Sequence, residues 1–186
     1  TGENKIVASD DAASDFFGVS VAMTDTYIFV GASGETNGQG AVYRFDLDGT
    51  NEVKIQASDG GAGDNFGYSI AVGSNRLVVG ARFEDAQGNN AGAAYVYNLD
   101  GTNEVKISET DLDASDYFGA AVAVGDNKVV IGCGSYDGDT NQVGQQGAVF
   151  VYNLDGTNKI KIQPSDGGTD DQFGSAVAVG EGKIFV

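Results

Sequence analysis

Apolar and polar residues alternate over short runs along the whole chain, and glycine, asparagine or aspartate separates the runs. In one stretch four runs follow one another: "GYSIAV", "RLVVGA", "AAYVYNL" and "EVKI". A two-residue alternation is typical of β-strands, and a run such as "RLVVGA" indicates a strand buried on both faces. The turns "GSN" and "LDGTNE" between the runs have hairpin composition. No long stretch has the 3.6-residue apolar period of a helix, so the pattern predicts an all-β chain.

The four-strand unit recurs at nearly constant intervals. A Phe-Gly pair marks each copy, at Phe17, Phe66, Phe118 and Phe173. The lysine of each "KI" pair always lies 12 residues before the Phe, as Lys54 does before Phe66. The Gly that closes the second strand lies 14 residues after the Phe, as Gly80 does after Phe66. Only the segment between the second and third strands varies in length, so we interpret the rest as scaffold.

Four antiparallel strands in about 50 residues is the size of a propeller blade. We therefore predict an all-β fold, a β-propeller of four-stranded antiparallel blades, in one domain over residues 1–186. The repeats run over about 5–53, 54–105 and 106–160, with a partial repeat over 161–186. "TGENKI" looks like the end of a repeat and "GKIFV" follows a second strand, which predicts 15 strands. Three full blades and a partial one make an arc, expected to belong to a larger ring in a longer protein or an assembly.

The charge of the chain excludes several classes of partner. The sequence has 27 acidic and 10 basic side chains, a net charge of -17, and no histidine. Such a charge repels nucleic acid and anionic membranes and attracts cations. No apolar run approaches the ~20 residues of a membrane span. We expect no nucleic-acid partner and no membrane insertion.

Catalysis is not expected of this composition. The absence of histidine excludes His-based triads and His-ligated metals. The carboxylates recur as a regular repeated set, whereas a catalytic constellation normally occurs once. The sequence therefore predicts a protein that is not an enzyme.

Two aspartates precede every Phe-Gly pair, five residues apart in each copy. The pairs are Asp10 and Asp15, Asp59 and Asp64, Asp111 and Asp116, and Asp166 and Asp171. One interpretation is that they accept hydrogen bonds from the backbone amides of tight Gly-rich loops. The other is that these hard oxygen ligands bind Ca²⁺. Both interpretations stay open, and Ca²⁺ is the cofactor that these residues suggest.

The loops of variable length span residues 33–39, 82–91 and 134–146. Because strand direction alternates within a blade, these loops should share a face with the aspartate pairs. A ligand or a neighbouring copy of the chain can be recognised there, with Arg82, Phe83 and Tyr136 as exposed anchors. Neutral variation of surface loops is the alternative. The candidate partner-binding residues are Glu35, Arg82, Phe83, Glu84, Asp85, Tyr136, Asp137 and Asp139.

The segment "DNFGYSIAV", followed by "LVVGA" and "GAAYVY", resembles the FG-GAP repeat, which is known from the N-terminal β-propeller of integrin α chains. The resemblance covers essentially the whole chain. The proline that often follows Gly-Ala in that family is replaced by Ser33, Arg82 and Gly134. The calcium loops of integrins lie between the first and second strands, where this chain has short turns such as "GSN", so those sites are not carried over.

The resemblance implies an extracellular or cell-surface module for binding or adhesion. Its acidic loops would face a protein or glycan partner, with Ca²⁺ as a possible bridge. The alternative is a structural subunit of a surface filament or sheath, in which incomplete blades complete one another between copies. A carbohydrate-active enzyme, using carboxylates for acid-base chemistry, is the third hypothesis.

Overall fold

The computed structural model of the protein describes residues 5–137 and 144–186. These residues form fourteen strands and one short helical segment, α1 (Glu35–Gly38). Strands β1 to β4 are Phe17–Met23, Tyr27–Ala32, Ala41–Asp46 and Val53–Ile55. Strands β5 to β8 are Phe66–Gly73, Arg76–Ala81, Ala93–Asn98 and Val105–Ile107. Strands β9 to β12 are Ala121–Gly125, Lys128–Cys133, Ala148–Asn153 and Ile160–Ile162, and strands β13 and β14 are Ala178–Gly180 and Lys183–Phe185.

Each group of four strands forms one antiparallel sheet in chain order, and β13 pairs with β14 alone. We call the sheets blade 1 (β1–β4), blade 2 (β5–β8) and blade 3 (β9–β12), and the last pair the terminal hairpin. This arrangement confirms the predicted all-β fold of propeller blades. Thr36 and Asn37 have positive φ inside α1, which is therefore a tight turn. Among the described residues, no helix is long and apolar enough to cross a membrane.

The fifteenth predicted strand, in "TGENKI", lies mostly outside the described residues, which begin at Lys5. Its last two residues, Lys5 and Ile6, are not in a strand, and residues 7–16 form turns and irregular backbone. The reason is the lack of a neighbour. A fourth strand pairs with a third, as Val53 does with Arg44, and the described residues before β1 have no third strand beside them.

In blades 1 to 3 the phenylalanine of the Phe-Gly pair packs inside its own blade. Phe66 is fully buried, and its ring makes edge contacts with Tyr95 and Tyr97 of β7, with centroids 5.4 and 6.1 Å apart. The same contacts recur in blades 1 and 3, between Phe17 and the pair Tyr43 and Phe45, and between Phe118 and the pair Phe150 and Tyr152. Edge-to-face aromatic pairs stabilise beyond the area they bury. The Phe therefore anchors the first strand to the third.

The glycine of each Phe-Gly pair sets the distance to the preceding blade. A Cβ atom built on Gly80 of blade 2 would lie 1.9 Å from the carbonyl oxygen of Gly119 in blade 3. The equivalent distances are 2.1 Å from Gly31 to the Gly67 oxygen and 2.0 Å from Gly132 to the Gly174 oxygen. No side chain fits in this space. The blades therefore meet backbone to backbone, and both glycines of the repeat are required for it.

Replacing Gly80 by alanine should destabilise the chain by about 3 kcal/mol, because overpacking at a rigid contact displaces backbone. Urea denaturation at fixed pH measures the change. Gly180→Ala is the matched control, since a Cβ at Gly180 meets nothing within 4 Å. Equal stabilities of the two variants would refute this account of the blade contact.

Candidate functional site

Two sets of loops lie together on one face of the blades, which we call the loop face. It consists of the loops before each first strand (residues 8–16, 57–65, 109–117 and 164–172) and the loops between second and third strands (33–40, 82–92, 134–137 and 144–147). Phe83 N donates to the Asp64 carbonyl oxygen at 3.2 Å within blade 2, and Asn65 N donates to the Gly38 oxygen at 2.8 Å across to blade 1. These bonds confirm that the variable loops share a face with the aspartate pairs.

In blade 1 the first aspartate of the pair binds side chains. The carboxylate of Asp10 accepts hydrogen bonds from Tyr43 Oη of β3 at 2.7 Å and from Lys54 Nζ of β4 at 2.8 Å. Lys54 Nζ also donates to Glu35 Oε1, in the variable loop, at 2.6 Å. One ammonium group thus ties both loops of the blade to its outer strand.

Blade 2 repeats this arrangement with the same residue types. Asp59 accepts from Tyr95 Oη at 2.9 Å and from Lys106 Nζ at 2.6 Å, and Lys106 Nζ donates to Glu84 Oε1 at 2.9 Å. We call each set of four an acid-lysine cluster. The clusters consist of Asp10, Glu35, Tyr43 and Lys54 in blade 1, and Asp59, Glu84, Tyr95 and Lys106 in blade 2.

The pKa values reflect this pairing. Burial lowers the pKa of the Lys106 ammonium, but hydrogen bonds to Asp59 and Glu84 outweigh it and raise the pKa overall. Burial raises the pKa of the Asp59 carboxyl, and the bonds from Lys106 and Tyr95 bring it below its ordinary value. Bonds from Lys54 and then Tyr43 lower the pKa of Asp10. Asp10, Asp59 and Lys106 therefore keep their charges near neutral pH.

The second aspartate of each pair closes its own loop. Its carboxylate accepts the backbone N–H of the residue three positions earlier, at 2.6 to 2.8 Å. The four aspartates are Asp15, Asp64, Asp116 and Asp171. The interpretation of backbone hydrogen bonds is confirmed for this member of the pair. At Asp10 and Asp59 the main donors are Tyr and Lys side chains, and the residue's own backbone N–H makes a smaller contribution. Asp166 lies exposed in the loop before the terminal hairpin.

Blade 3 builds its loop contacts from different residues. Tyr136 stands four residues after Gly132, at the position of Glu35 and Glu84. Its side chain is 1% exposed and its Oη accepts a hydrogen bond from Lys161 Nζ at 2.7 Å. The expectation that Tyr136 is an exposed anchor was therefore wrong, since its ring fills the site that the glutamates occupy.

The acids of blade 3 also pair with lysine. Asp111 forms ion pairs with Lys159 and Lys161, at 3.2 and 3.7 Å. Lys159 also pairs with Glu109, which accepts a hydrogen bond from Tyr152 Oη. The first aspartate thus binds lysine in all three blades.

Asp116 is the most buried of the eight aspartates, at 2% exposure. Burial raises the pKa of its carboxyl to about 7, the nearby carboxylates of Asp137 and Asp113 add to the rise, and the backbone N–H of Asp113 opposes it. Burial in the same way raises the pKa of Asp64 in blade 2.

The other candidate partner-binding residues divide by exposure. Glu35 and Glu84 are buried in the acid-lysine clusters. Asp85 is exposed and Asp137 half-buried, while Asp139 lies outside the described residues. Only part of the predicted set therefore remains available to a partner.

Arg82 and Phe83, expected to be exposed anchors, are half-buried, because they stack on neighbouring aromatic rings and form an aromatic patch on the loop face. The Arg82 guanidinium lies over the rings of Tyr68 and Phe83, 3.7 and 4.3 Å from their centroids. The Phe83 ring contacts Tyr117 of the next loop at 5.4 Å. Stacking of a guanidinium on aromatic rings restricts its motion and stabilises its position.

Sequence reasoning missed the partners of the aspartates. Tyr43, Tyr95, Lys54 and Lys106 were interpreted as strand residues only. A signal was present, because Glu35 and Glu84 both lie four residues after the glycine that closes the second strand. A conserved offset inside a loop of variable length indicates a fixed partner.

The geometry defines a repeat protein of propeller blades whose variable loops share one face. Residues 1–45, 50–97 and 102–152 match the FG-GAP repeat. The matches cover more than half of the chain, which belongs to the FG-GAP repeat family. Such repeats suggest a β-propeller module of a kind often involved in binding or adhesion. No curated protein matches the sequence.

Within residues 5–137 and 144–186, no three acidic side chains converge closely enough to bind a metal ion. Calcium binding by the aspartate pairs stays a prediction. An ion at Asp10 or Asp59 would compete with a lysine ammonium, and one at Asp15 or Asp64 with a backbone N–H.

If the aspartates bind Ca²⁺, the Tm of the protein should be higher in a calcium buffer than in a buffer with chelator. A ligand that binds only the folded state stabilises it by about 2.7 kcal/mol when the ligand concentration is 100 times Kd. Differential scanning calorimetry at constant ionic strength measures the shift, and Asp59→Asn should reduce it. An unchanged Tm would leave the aspartates as partners of tyrosine, lysine and backbone groups only.

The Asp116 pKa predicts a pH dependence of stability. The folded-state pKa of about 7 lies above the unfolded value, so the folded chain keeps the proton while the unfolded chain loses it. Stability should therefore fall as pH rises from about 4 to 7. Asp116→Asn should remove this loss and become more stable than the unsubstituted protein at pH 8, by on the order of 3 kcal/mol.

Urea denaturation at several pH values tests the prediction. Asp171→Asn is the control, because Asp171 makes the same backbone bond and is exposed. A stability difference between Asp116→Asn and the unsubstituted protein that does not change with pH would contradict the prediction.

Proposed function

We propose that the protein is an extracellular or cell-surface binding module whose loop face recognises a protein or glycan partner. One observation carries the proposal: the loops whose length varies between repeats lie on one face, above blades of fixed spacing. A rigid scaffold with variable loops is a common basis for recognition. We propose binding in preference to catalysis, and therefore in preference to the hypothesis of a carbohydrate-active enzyme.

The chemistry of the loop face supports recognition. The patch of Arg82, Phe83 and Tyr117 supplies aromatic rings and a guanidinium, the groups enriched in binding hot spots. Exposed Asp85 lies on the same loop as Arg82. Lysines pair with the buried Glu35, Glu84 and Glu109, so the charge available to a partner comes mainly from exposed aspartates and glutamates. Such a face favours neutral or basic partners.

The test is binding of the purified protein to a glycan array and to a panel of purified matrix proteins. Arg82→Ala should weaken any interaction at least about tenfold if the patch is a hot spot. Arg76→Ala is the matched control, because it removes one arginine from the first residue of β6, the strand whose end Arg82 directly follows. No binding to either panel, or an equal loss in both variants, would refute the proposal.

Self-assembly into a filament or sheath is the second candidate. Exposed apolar side chains support it: Val21 and Met23 of β1 are 68% and 66% exposed, and Phe185 of the terminal hairpin is 55% exposed. Phe29, at the position of Phe185 in blade 1, is fully buried. Light scattering across a concentration series tests this candidate, and a monomer mass throughout would remove it.

A further inference from the structure

Aromatic rings hold Arg82 in place on the loop face, but its charge is not paired. The guanidinium carbon lies 3.7 Å from the centroid of the Tyr68 ring and 4.3 Å from the centroid of the Phe83 ring. Among the ion pairs of the described residues, none includes Arg82. The lysines of the acid-lysine clusters, by contrast, each pair with two carboxylates. Arg82 is therefore a cation of fixed position without a counter-charge in the part of the chain that the structure describes.

The terminal nitrogens of the guanidinium are the donors that a ligand can reach. Of the three Arg82 side-chain nitrogens, only Nε is buried without a hydrogen-bond partner. Nη1 and Nη2 make no hydrogen bond with the described residues and are open to solvent. A guanidinium presents its N–H groups as a rigid planar fork that matches the two oxygens of a carboxylate. Because the rings already restrict the side chain, binding costs little further conformational entropy.

Blade 2 alone carries this arrangement of one arginine and two rings. The equivalents of Tyr68, Arg82 and Phe83 are Val19, Ser33 and Gly34 in blade 1, and Ala120, Gly134 and Ser135 in blade 3. None of these six residues has an aromatic ring or a positive charge. The residues that build the blades recur in every copy, so a set that occurs once is not needed for the fold.

The net charge of the chain decides which kind of partner can bring a carboxylate to Arg82. The chain has a net charge of -17, and Asp85 lies exposed three residues after Arg82. A glycan with a carboxylate on every repeating unit is repelled by such a surface. A protein can carry one aspartate or glutamate on a surface that is otherwise neutral or basic. Such a protein matches the partners that the loop face favours.

We propose that Arg82 binds the side-chain carboxylate of an aspartate or glutamate on a protein partner, through Nη1 and Nη2. The inference rests on the proposed function and deepens it, because it assigns one chemical group of the partner to one position of the loop face. The rings of Tyr68 and Phe83 orient the guanidinium. Arg82→Lys keeps the positive charge and removes the fork.

The test is an NMR titration of the ¹⁵N-labelled protein with Nα-acetyl-glutamic acid methylamide at pH 7 and constant ionic strength. The Nε–H signal of Arg82 reports binding, because a buried N–H group exchanges slowly with water. Saturable shifts are expected for this signal and for the Phe83 amide. Arg44 is the internal control, since its Nε is also buried without a hydrogen-bond partner, and its signal should not shift.

Nα-acetyl-glutamine methylamide is the matched ligand without the charge and should bind at least about tenfold more weakly, because charge-assisted hydrogen bonds are the stronger ones. Arg82→Lys should weaken binding of the glutamic acid compound about threefold or more. Arg76→Lys, the same exchange at the start of β6, should leave it unchanged. Equal binding of the two compounds, equal shifts at Arg44, or unchanged binding in Arg82→Lys would overturn the inference.

Methyl β-D-glucuronide carries the carboxylate on a sugar and is expected to bind no more tightly than the glutamic acid compound. Binding that is tenfold tighter would overturn the assignment to a protein partner. A protein or glycan from the panels that binds the loop face, while the glutamic acid compound does not bind, would refute this inference alone. Binding of the compound without any partner on the panels would refute the proposed function alone.

Discussion

The close approach of main chains between blades is the constraint on which the rest of the structure depends. A strand glycine of one blade faces the carbonyl oxygen of the next Phe-Gly glycine with no room for a methyl group. The Ser20 and Ser69 hydroxyls donate to the same carbonyl oxygens, of Gly67 and Gly119, at 2.6 and 2.8 Å. The phenylalanine beside the glycine holds the strand to the aromatic pair of its own blade. Together these contacts fix where each loop begins, so the positions of the strands determine the arrangement of the loops on the loop face.

The acid-lysine clusters then hold the loops in place on that scaffold. Each ammonium joins the loop before the first strand, the variable loop and the outer strand of one blade. A partly buried ion pair of this kind is weak evidence for stability, because desolvation offsets much of the attraction. The ion pair instead fixes the position of the loop. Loops of different length keep one buried side chain at the same place. Beyond that point the loops differ in length and sequence, and exposed residues such as Thr36 and Asp85 lie there.

Much of the fold could be predicted from the sequence because strand alternation and fixed spacing are local signals. The strands, the hairpin turns and the shared face of the loops followed from them. The partners of Asp10 and Asp59 did not, because Tyr43 and Lys54 lie 33 and 44 residues from Asp10 and meet it only after the blade closes. Tyr136 was expected at the surface because it lies in a polar loop, but its position relative to Gly132 places it under that loop. The first residues were expected to form a strand from their composition, and pairing depends on a neighbour that composition does not reveal.

A contact between backbone atoms does not depend on the identity of the neighbouring side chains. At that point a blade can be followed by any blade that offers the same glycine and carbonyl groups. Side chains also pack across the junctions, because Phe29 and Val42 of blade 1 share a core cluster with Leu77 and Val79 of blade 2. The apolar residues of such clusters, and not the backbone contact, limit which repeats can be exchanged. Loop chemistry varies from blade to blade on this shared scaffold, as Tyr136 in the place of Glu35 and Glu84 illustrates.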